Sequence, residues 1–292
     1  MSTKLSLTST LPQPSGYPIP VLGLGVYQTP VATAESVVLH ALKHGYRHID
    51  SARAYRNEVP CAAAIKASGI PRSEIFFTSK IMPKRMMGYE KAKESIASTL
   101  AETGLDYVDL YLIHAPYGGK TQRLGAWQAL VEAQHEGKIR SIGVSNYGVH
   151  HLDELADFIA TSDNPLIKQS KIDVNQVELH PWLPRQDIVD WCNKHGVIVE
   201  AYCPLVRGER ANEPVLQQIG EKHGGRSWAQ VLLRWSLQRG FVSLPKSETA
   251  SRIEANAHIF DFELDDQDMA ALDFPDSYAP IAWDPTVAKL EE

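Results

Sequence analysis

From Val21 onward, short apolar runs alternate with longer amphipathic stretches, and this alternation restricts the fold more than any other feature of the chain. Runs such as Ile-Phe-Phe-Thr-Ser at 75–79 and Tyr-Val-Asp-Leu-Tyr-Leu-Ile at 107–113 are strand-length and rich in β-branched and aromatic residues. The pattern predicts strands over 21–24, 47–50, 75–79, 107–113, 139–144, 173–177, 197–202 and 241–244. Helices are predicted over 32–43, 58–67, 90–103, 124–136, 149–160, 186–195, 227–239 and 265–272, with Thr249–Ala257 as a short extra one. Several strands read as continuous apolar runs, as in a parallel sheet covered by helices. Alternation without an intervening linker predicts one α/β domain over 1–292. Ahead of it, Leu5 and Leu7 alternate before the Pro and Gly punctuation of Pro12–Gly16, which predicts an N-terminal β-hairpin region over 4–22. The tail, 274–292, is a candidate substrate loop.

An eight-stranded barrel and an open doubly wound sheet both satisfy such alternation. A dinucleotide-binding open sheet carries G-x-G-x-x-G after its first strand, whereas Gly23-Leu-Gly-Val-Tyr-Gln28 lacks the third glycine. Eight strands with polar residues at their carboxyl ends favour the (β/α)8 barrel. Asp50 closes the run His48-Ile49, and Tyr55 follows within one tight loop. Lys80 closes Phe76–Ser79, and His114 closes Tyr111–Ile113. Singly, these are a helix cap, a packing tyrosine, a solvated lysine and a core histidine. A barrel would gather all four into one bowl.

The composition excludes several classes. Of the 292 residues, 43% are hydrophobic and 22% charged, a globular balance, and a formal charge of −6 gives no footprint for nucleic acid or an anionic membrane. Cys61, Cys192 and Cys203 are odd in number and far apart, against a disulfide framework. The polar start, Met-Ser-Thr-Lys-Leu-Ser-Leu, is no signal peptide, and no apolar run reaches the ~18 residues of a membrane span. A soluble, cytoplasmic protein is expected, with monomer and dimer both open.

Six blocks resemble, in order, the signatures of the aldo-keto reductase superfamily, in particular its NADPH-dependent aldehyde and ketone reductases of microbial or fungal type. They are Gly45–Glu58, Asp109–Pro116, Lys138–Tyr147, Asn175–Pro181, Ala201–Leu205, and Leu244–Ser247 followed by Arg252 and Asn256. The resemblance implies a barrel, a nicotinamide cofactor and a small-molecule carbonyl substrate. The chemistry fits independently: the phenol of Tyr55 suits a proton donor, although its free pKa of about 10 makes it sluggish. A nearby Lys80 ammonium is expected to lower that pKa, with Asp50 holding the ammonium and His114 bonding the substrate oxygen.

For the nicotinamide, the resemblance implies Ser145, Asn146 and Gln176 at the carboxamide and Tyr202 stacked beneath the ring. Pro204, Leu205 and Arg207 are further cofactor-binding candidates, Arg207 either contacting the pyrophosphate or simply solvated, and the segment 206–212 looks short for a covering loop. Lys246, Ser247, Arg252 and Asn256 match the adenosine end, which favours NADPH while leaving NADH open. Glu248 tempers that preference, and Ala255 stands where many members carry Glu. Pocket walls are expected from Tyr27, Met82, Ala115 and Trp283; Ala115 replaces a common Trp, leaving space for an activated or bulky ketone such as an α-keto ester unless a tail aromatic fills it.

Other readings weigh less. His150 and His151 are adjacent rather than one turn apart, no H-E-x-x-H occurs, and no metal is expected. No G-x-S-x-G marks a hydrolase. A Schiff-base aldolase would need Lys80 neutral, which Asp50 opposes. The fold also serves as a cofactor-bound regulatory subunit, so a non-catalytic binding module is the alternative to an enzyme.

Overall fold

In the computed structural model, which describes residues 5–291, the alternating runs form a parallel barrel. An antiparallel hairpin comes first, β1 (Thr10–Pro12) and β2 (Pro18–Pro20), with Leu11 opposite Ile19. The barrel strands are β3 (Leu24–Gly25), β4 (His48–Asp50), β5 (Phe76–Ile81), β6 (Val108–Ile113), β7 (Ile139–Ser145), β8 (Val174–Glu178), β9 (Ile198–Tyr202) and β10 (Val242–Leu244). Neighbours pair in chain order, all parallel. Parallel bridges from Leu22 to Ser243 and from Gly25 to Lys246 close the ring.

Period-two alternation gives each strand an inner and an outer face. In β5, Phe76, Thr78 and Lys80 point inward, while Phe77 and Ile81 join the large apolar cluster under the helices. Inside, Phe76, Leu110, Leu112, Val174 and Val242 form a separate apolar plug, completed by Ile19 from the hairpin. The interior is thus filled at the amino end of the strands and polar at the carboxyl end. Gly143 is required in β7: a Cβ there would meet Val174 O at 2.4 Å and force β8 away.

The outer helices are α1 (Val31–Lys43), α2 (Glu58–Ala67), α3 (Tyr89–Thr103), α4 (Gly119–His135), α5 (Val149–Thr161), α6 (Pro165–Gln169), α7 (Gln186–His195), α8 (Pro214–Lys222), α9 (Trp228–Gln238), α10 (Ala250–Ala257) and α11 (Asp266–Ala271). Ser227 starts α9 through a capping box, its Oγ accepting from Gln230 N while Gln230 Oε1 accepts from Ser227 N.

Two expectations need correction. The hairpin is confined to 10–20; Leu5 and Leu7 lie outside its strands and pack partly buried against the outer cluster, while residue 4 lies outside the described residues. Helices α6 and α8 were not anticipated. Each opens with proline at its first turn, where the missing N–H costs no hydrogen bond. Helix α8 follows a 3-10 turn at Val206–Gly208, so the segment after Leu205 folds into short helical structure.

Candidate active site

The carboxyl ends of β4 and β5 set the first two groups. Asp50 and Lys80 are almost completely buried, and Lys80 Nζ donates to Asp50 Oδ1 at 2.8 Å, Asp50 Oδ2 at 2.7 Å and Ser51 O at 2.9 Å. An ammonium has three N–H bonds, and all three are used. Beyond Asp50 the chain makes a 3-10 turn, Arg53–Tyr55, that lifts Tyr55 over the pair. Asn57 ties this loop down: its Oδ1 accepts from Ser51 Oγ, and its Nδ2 donates to Val26 O at 2.8 Å and Thr29 O at 3.1 Å. Lys80 Nζ lies 5.1 Å from the centre of the Tyr55 ring. His114, just beyond β6, presents its ring edge to Tyr55 at 5.6 Å between centroids. The four residues singled out in the sequence therefore meet in one bowl.

The electrostatics differ from expectation. Burial raises the Tyr55 phenol well above its ordinary pKa, and the negative charge of Asp50 reinforces the shift. Burial prevails over the Lys80 ammonium, which is paired with Asp50 and bonded to Ser51 O. Tyr55 is consequently held as a protonated acid. Burial, with Lys80 nearby, keeps His114 neutral, its pKa well below the usual imidazole value; its Nδ1 has no hydrogen-bond partner among the described residues.

Beside this group runs a chain of amides and carboxyls. Asn146 adopts a left-handed φ of 61° and joins three strand ends. Its Nδ2 donates to His114 O at 2.9 Å, and its Oδ1 accepts from Tyr202 Oη at 2.8 Å. Ser145 Oγ donates to Gln176 O. Neither Ser145 nor Asn146 caps a helix, since α5 starts after Gly148. Gln176 Nε2 donates to Asp50 Oδ2 at 2.9 Å and to Glu200 Oε2 at 2.6 Å, leaving its amide oxygen as the remaining acceptor. Glu200 is fully enclosed, 3.5 Å from His48 Nε2. Burial pushes its carboxyl up to about 8, with the charge of Asp50 adding to the effect. Burial likewise holds His48 down to about 3, a neutral ring. Sequence inspection passed over Glu200, although a lone charge in the buried run Ile198–Ala201 was a visible signal.

The mouth of the bowl is aromatic. Tyr27 lies 5.0 Å from Tyr55, and Trp283 stands edge-on to His114 at 5.8 Å and tilted against Tyr117 at 6.0 Å. Met82 is half-buried, whereas Ala115 is completely buried and offers no open wall. The flank of His114 is taken by Trp283 from the tail. Glu178 fixes that tail by accepting from Ile281 N at 2.8 Å and Ala282 N at 3.0 Å, and Arg185 pairs with Asp284 at 2.8 Å.

Further around the rim, Pro204 is buried, Leu205 half-buried, and Arg207 exposed in the 3-10 turn with a φ of 50°. Lys246 is engaged by Glu248 at 2.5 Å, and Ser247 Oγ accepts from Thr249 N. Arg252 is exposed on α10 and forms no ion pair among the described residues, while Asn256 is buried on the same helix. A cleft of about 480 Å³ lined by Ser15, Tyr17, Arg140 and Asp173 lies at the other, hairpin end of the barrel, away from these groups.

The model of the Aldo/keto reductase family matches residues 21–274, most of the chain. The chain belongs to the aldo/keto reductase family. It is 44% identical over 271 residues to a glyoxal reductase of Bacillus subtilis, covering 92% of this chain and 93% of that one. An uncharacterized oxidoreductase of Saccharomyces cerevisiae is 41% identical over 281 residues, covering 94% and 96%. The crystal structure of an aldo/keto reductase from Brucella melitensis superposes with a TM-score of 0.83 at 39% identity, covering 90% of this chain and 98% of that one. Membership makes the chain an oxidoreductase acting on carbonyl groups of small molecules, with a nicotinamide cofactor. Among the described residues no helix is long and apolar enough to cross a membrane.

Proposed function

We propose that the protein is an NADPH-dependent reductase of aldehydes and activated ketones, with Tyr55 as the proton donor. The observation carrying this reading is the meeting of phenol, imidazole and ammonium: Tyr55 and His114 edge to face at 5.6 Å, with Lys80 Nζ 5.1 Å from the phenol ring. When bound, a reduced nicotinamide supplies the hydride to the carbonyl carbon. Tyr55 gives its proton to the oxygen on which negative charge grows, a role suited to a phenol that burial keeps protonated. His114, neutral, donates a ring N–H to that oxygen and holds it in line. Lys80, fixed by Asp50, places positive charge beneath the ring and favours the phenolate left after transfer.

The donor set fits a nicotinamide nucleotide. Asn146, Ser145 and the free amide oxygen of Gln176 lie beside the bowl, and the half-buried ring of Tyr202 is held by its bond to Asn146. At the far end, α10 starts after Thr249, which gives it no side-chain cap, next to the Ser247 hydroxyl and to Arg252, which forms no ion pair among the described residues. Uncapped helix N–H groups with a cation suit a phosphate monoester, which favours NADPH over NADH. Because Glu248 already engages Lys246, the discrimination falls mainly on Arg252. The aromatic mouth of Tyr27, Tyr117 and Trp283 favours flat, activated carbonyls such as aromatic aldehydes and α-keto esters. The likeness to a glyoxal reductase points the same way, toward carbonyls activated by a neighbouring carbonyl. Initial rates with NADPH and NADH across a panel of aldehydes, α-keto esters and unactivated ketones test this reading. It predicts kcat/KM highest for activated carbonyls with NADPH; binding of NADPH without turnover on any member would refute it and favour a cofactor-bound regulatory module.

A further inference from the structure

Outside the barrel, on the face where α1 meets α10, two imidazoles converge on one carboxylate. His40 lies in the last turn of α1 and His44 caps its carboxyl end four residues on, while Glu254 reaches them from α10. Glu254 Oε1 lies 3.0 Å from His40 Nε2 and 3.5 Å from His44 Nε2, and all three ligand atoms fall within 4.8 Å of one another. His40 Nε2 is enclosed yet makes no hydrogen bond of acceptable geometry. His44 Nδ1 lies 2.9 Å from His40 O. A carbonyl oxygen only accepts, so Nδ1 carries the proton, and in the neutral ring Nε2 faces Glu254 as a lone pair. A lone pair and a carboxylate oxygen facing each other at this distance repel unless a cation lies between them, either a second proton on the ring or a metal ion.

We propose that His40, His44 and Glu254 form a binding site for a divalent transition-metal ion of the zinc type, bolting α10 to α1. With metal–ligand bonds of about 2.0–2.2 Å, neighbouring ligand atoms of a tetrahedral site stand roughly 3.3 Å apart, and the two carboxylate–imidazole separations of 3.0 and 3.5 Å bracket that value. The bond from His44 Nδ1 to a backbone carbonyl is the outer-shell contact that orients metal-ligating histidines. The cluster is partly exposed, with side-chain accessibilities of 28%, 40% and 40%, so an ion can enter and water can take the fourth position. Nitrogen and carboxylate donors without sulfur suit zinc, cobalt or nickel. Helix α10 also carries Arg252 and Asn256, so an occupied site would stiffen the segment proposed to hold the cofactor phosphate. That consequence rests on the proposed function; metal binding does not.

The test is calorimetric titration of chelator-stripped full-length protein with Zn2+, repeated on His44→Gln and Glu254→Gln. Absorption spectra of the Co2+-loaded forms report the geometry. Circular dichroism of the stripped proteins verifies that the variants fold. The expected result is one Zn2+ per chain, affinity at least roughly tenfold weaker in each variant, and a tetrahedral Co2+ spectrum in the wild type alone. A metal-induced rise in Tm should appear in the wild type and vanish in both variants. Equal Zn2+ affinity in wild type and variants would place any bound ion elsewhere and overturn the proposal, as would the absence of binding.

Discussion

Replacing Glu200 with glutamine exchanges a buried carboxyl for an amide of nearly the same shape and leaves an acceptor for Gln176 Nε2. In the wild type, Lys80 is committed to Asp50, so an ionised Glu200 would have no cation of its own inside the barrel. Its folded pKa is raised to about 8, whereas an unfolded glutamate titrates near about 4.3. The folded state therefore holds this proton more tightly. The resulting stability is complete below the unfolded value and is lost as pH rises through the folded one. Linkage over that window gives on the order of 4 kcal/mol between pH 5 and pH 9, equivalent to roughly 6 °C in Tm for a chain of this length. About 1.4 kcal/mol of it falls above pH 7. Glutamine does not titrate, so the difference between wild type and Glu200→Gln isolates this group from the others. Urea unfolding followed by far-UV circular dichroism at a series of pH values measures it. The wild type should lose stability relative to the variant steadily from pH 5 to 8 and level off above. Parallel profiles across the range would refute the assignment of a proton to Glu200.

Three further outcomes follow from the same geometry. Lys80→Met leaves Asp50 charged and unpaired in the interior and should cost about 3–5 kcal/mol, read as a lower urea midpoint; an unchanged midpoint would contradict a structural role for the pair. Arg252→Glu should raise the Kd for NADPH by at least roughly tenfold and leave that for NADH within about twofold, measured by fluorescence titration; equal changes would remove Arg252 from phosphate recognition. Glu178→Gln weakens the hold on Ile281 N and Ala282 N, so the tail should be cut faster in limited proteolysis and KM should rise for aromatic substrates more than for small ones. Unchanged cleavage and KM would show that Trp283 is held by other contacts.

The barrel was legible because its strands carry a local signal. Phe76–Ser79 and Tyr111–Ile113 read as strand and each is followed by a single polar residue, so both the elements and the Lys80 and His114 positions could be read from neighbours in sequence. Asp50 and Tyr55 were legible for the same reason. The state of Tyr55 was not, because it depends on how deeply the phenol is buried and on the Asp50 charge beside it, which only the folded geometry decides. Glu200 showed itself as a charge in an apolar strand, but its partners Gln176 and His48 come from other strands. Ala115 left two outcomes open, a wider pocket or a tail aromatic in the space; Trp283 lies beside His114 on a tail steered by Glu178 and Arg185, and no local pattern encodes that path. The spacing of His40 and His44 was visible at the end of α1, yet its meaning needs Glu254, delivered by a helix near the other end of the chain.

The central claim is that Tyr55 delivers the proton to the reduced carbonyl. The measurement that tests it most directly is single-turnover oxidation of NADPH by an activated carbonyl, wild type against Tyr55→Phe, with NADPH affinity measured on both proteins. Loss of a positioned general acid costs roughly 10²–10⁴ in rate, and that loss is predicted here while NADPH affinity stays within about twofold. Turnover by Tyr55→Phe near the wild-type rate would contradict the account and move the proton donor elsewhere in the bowl.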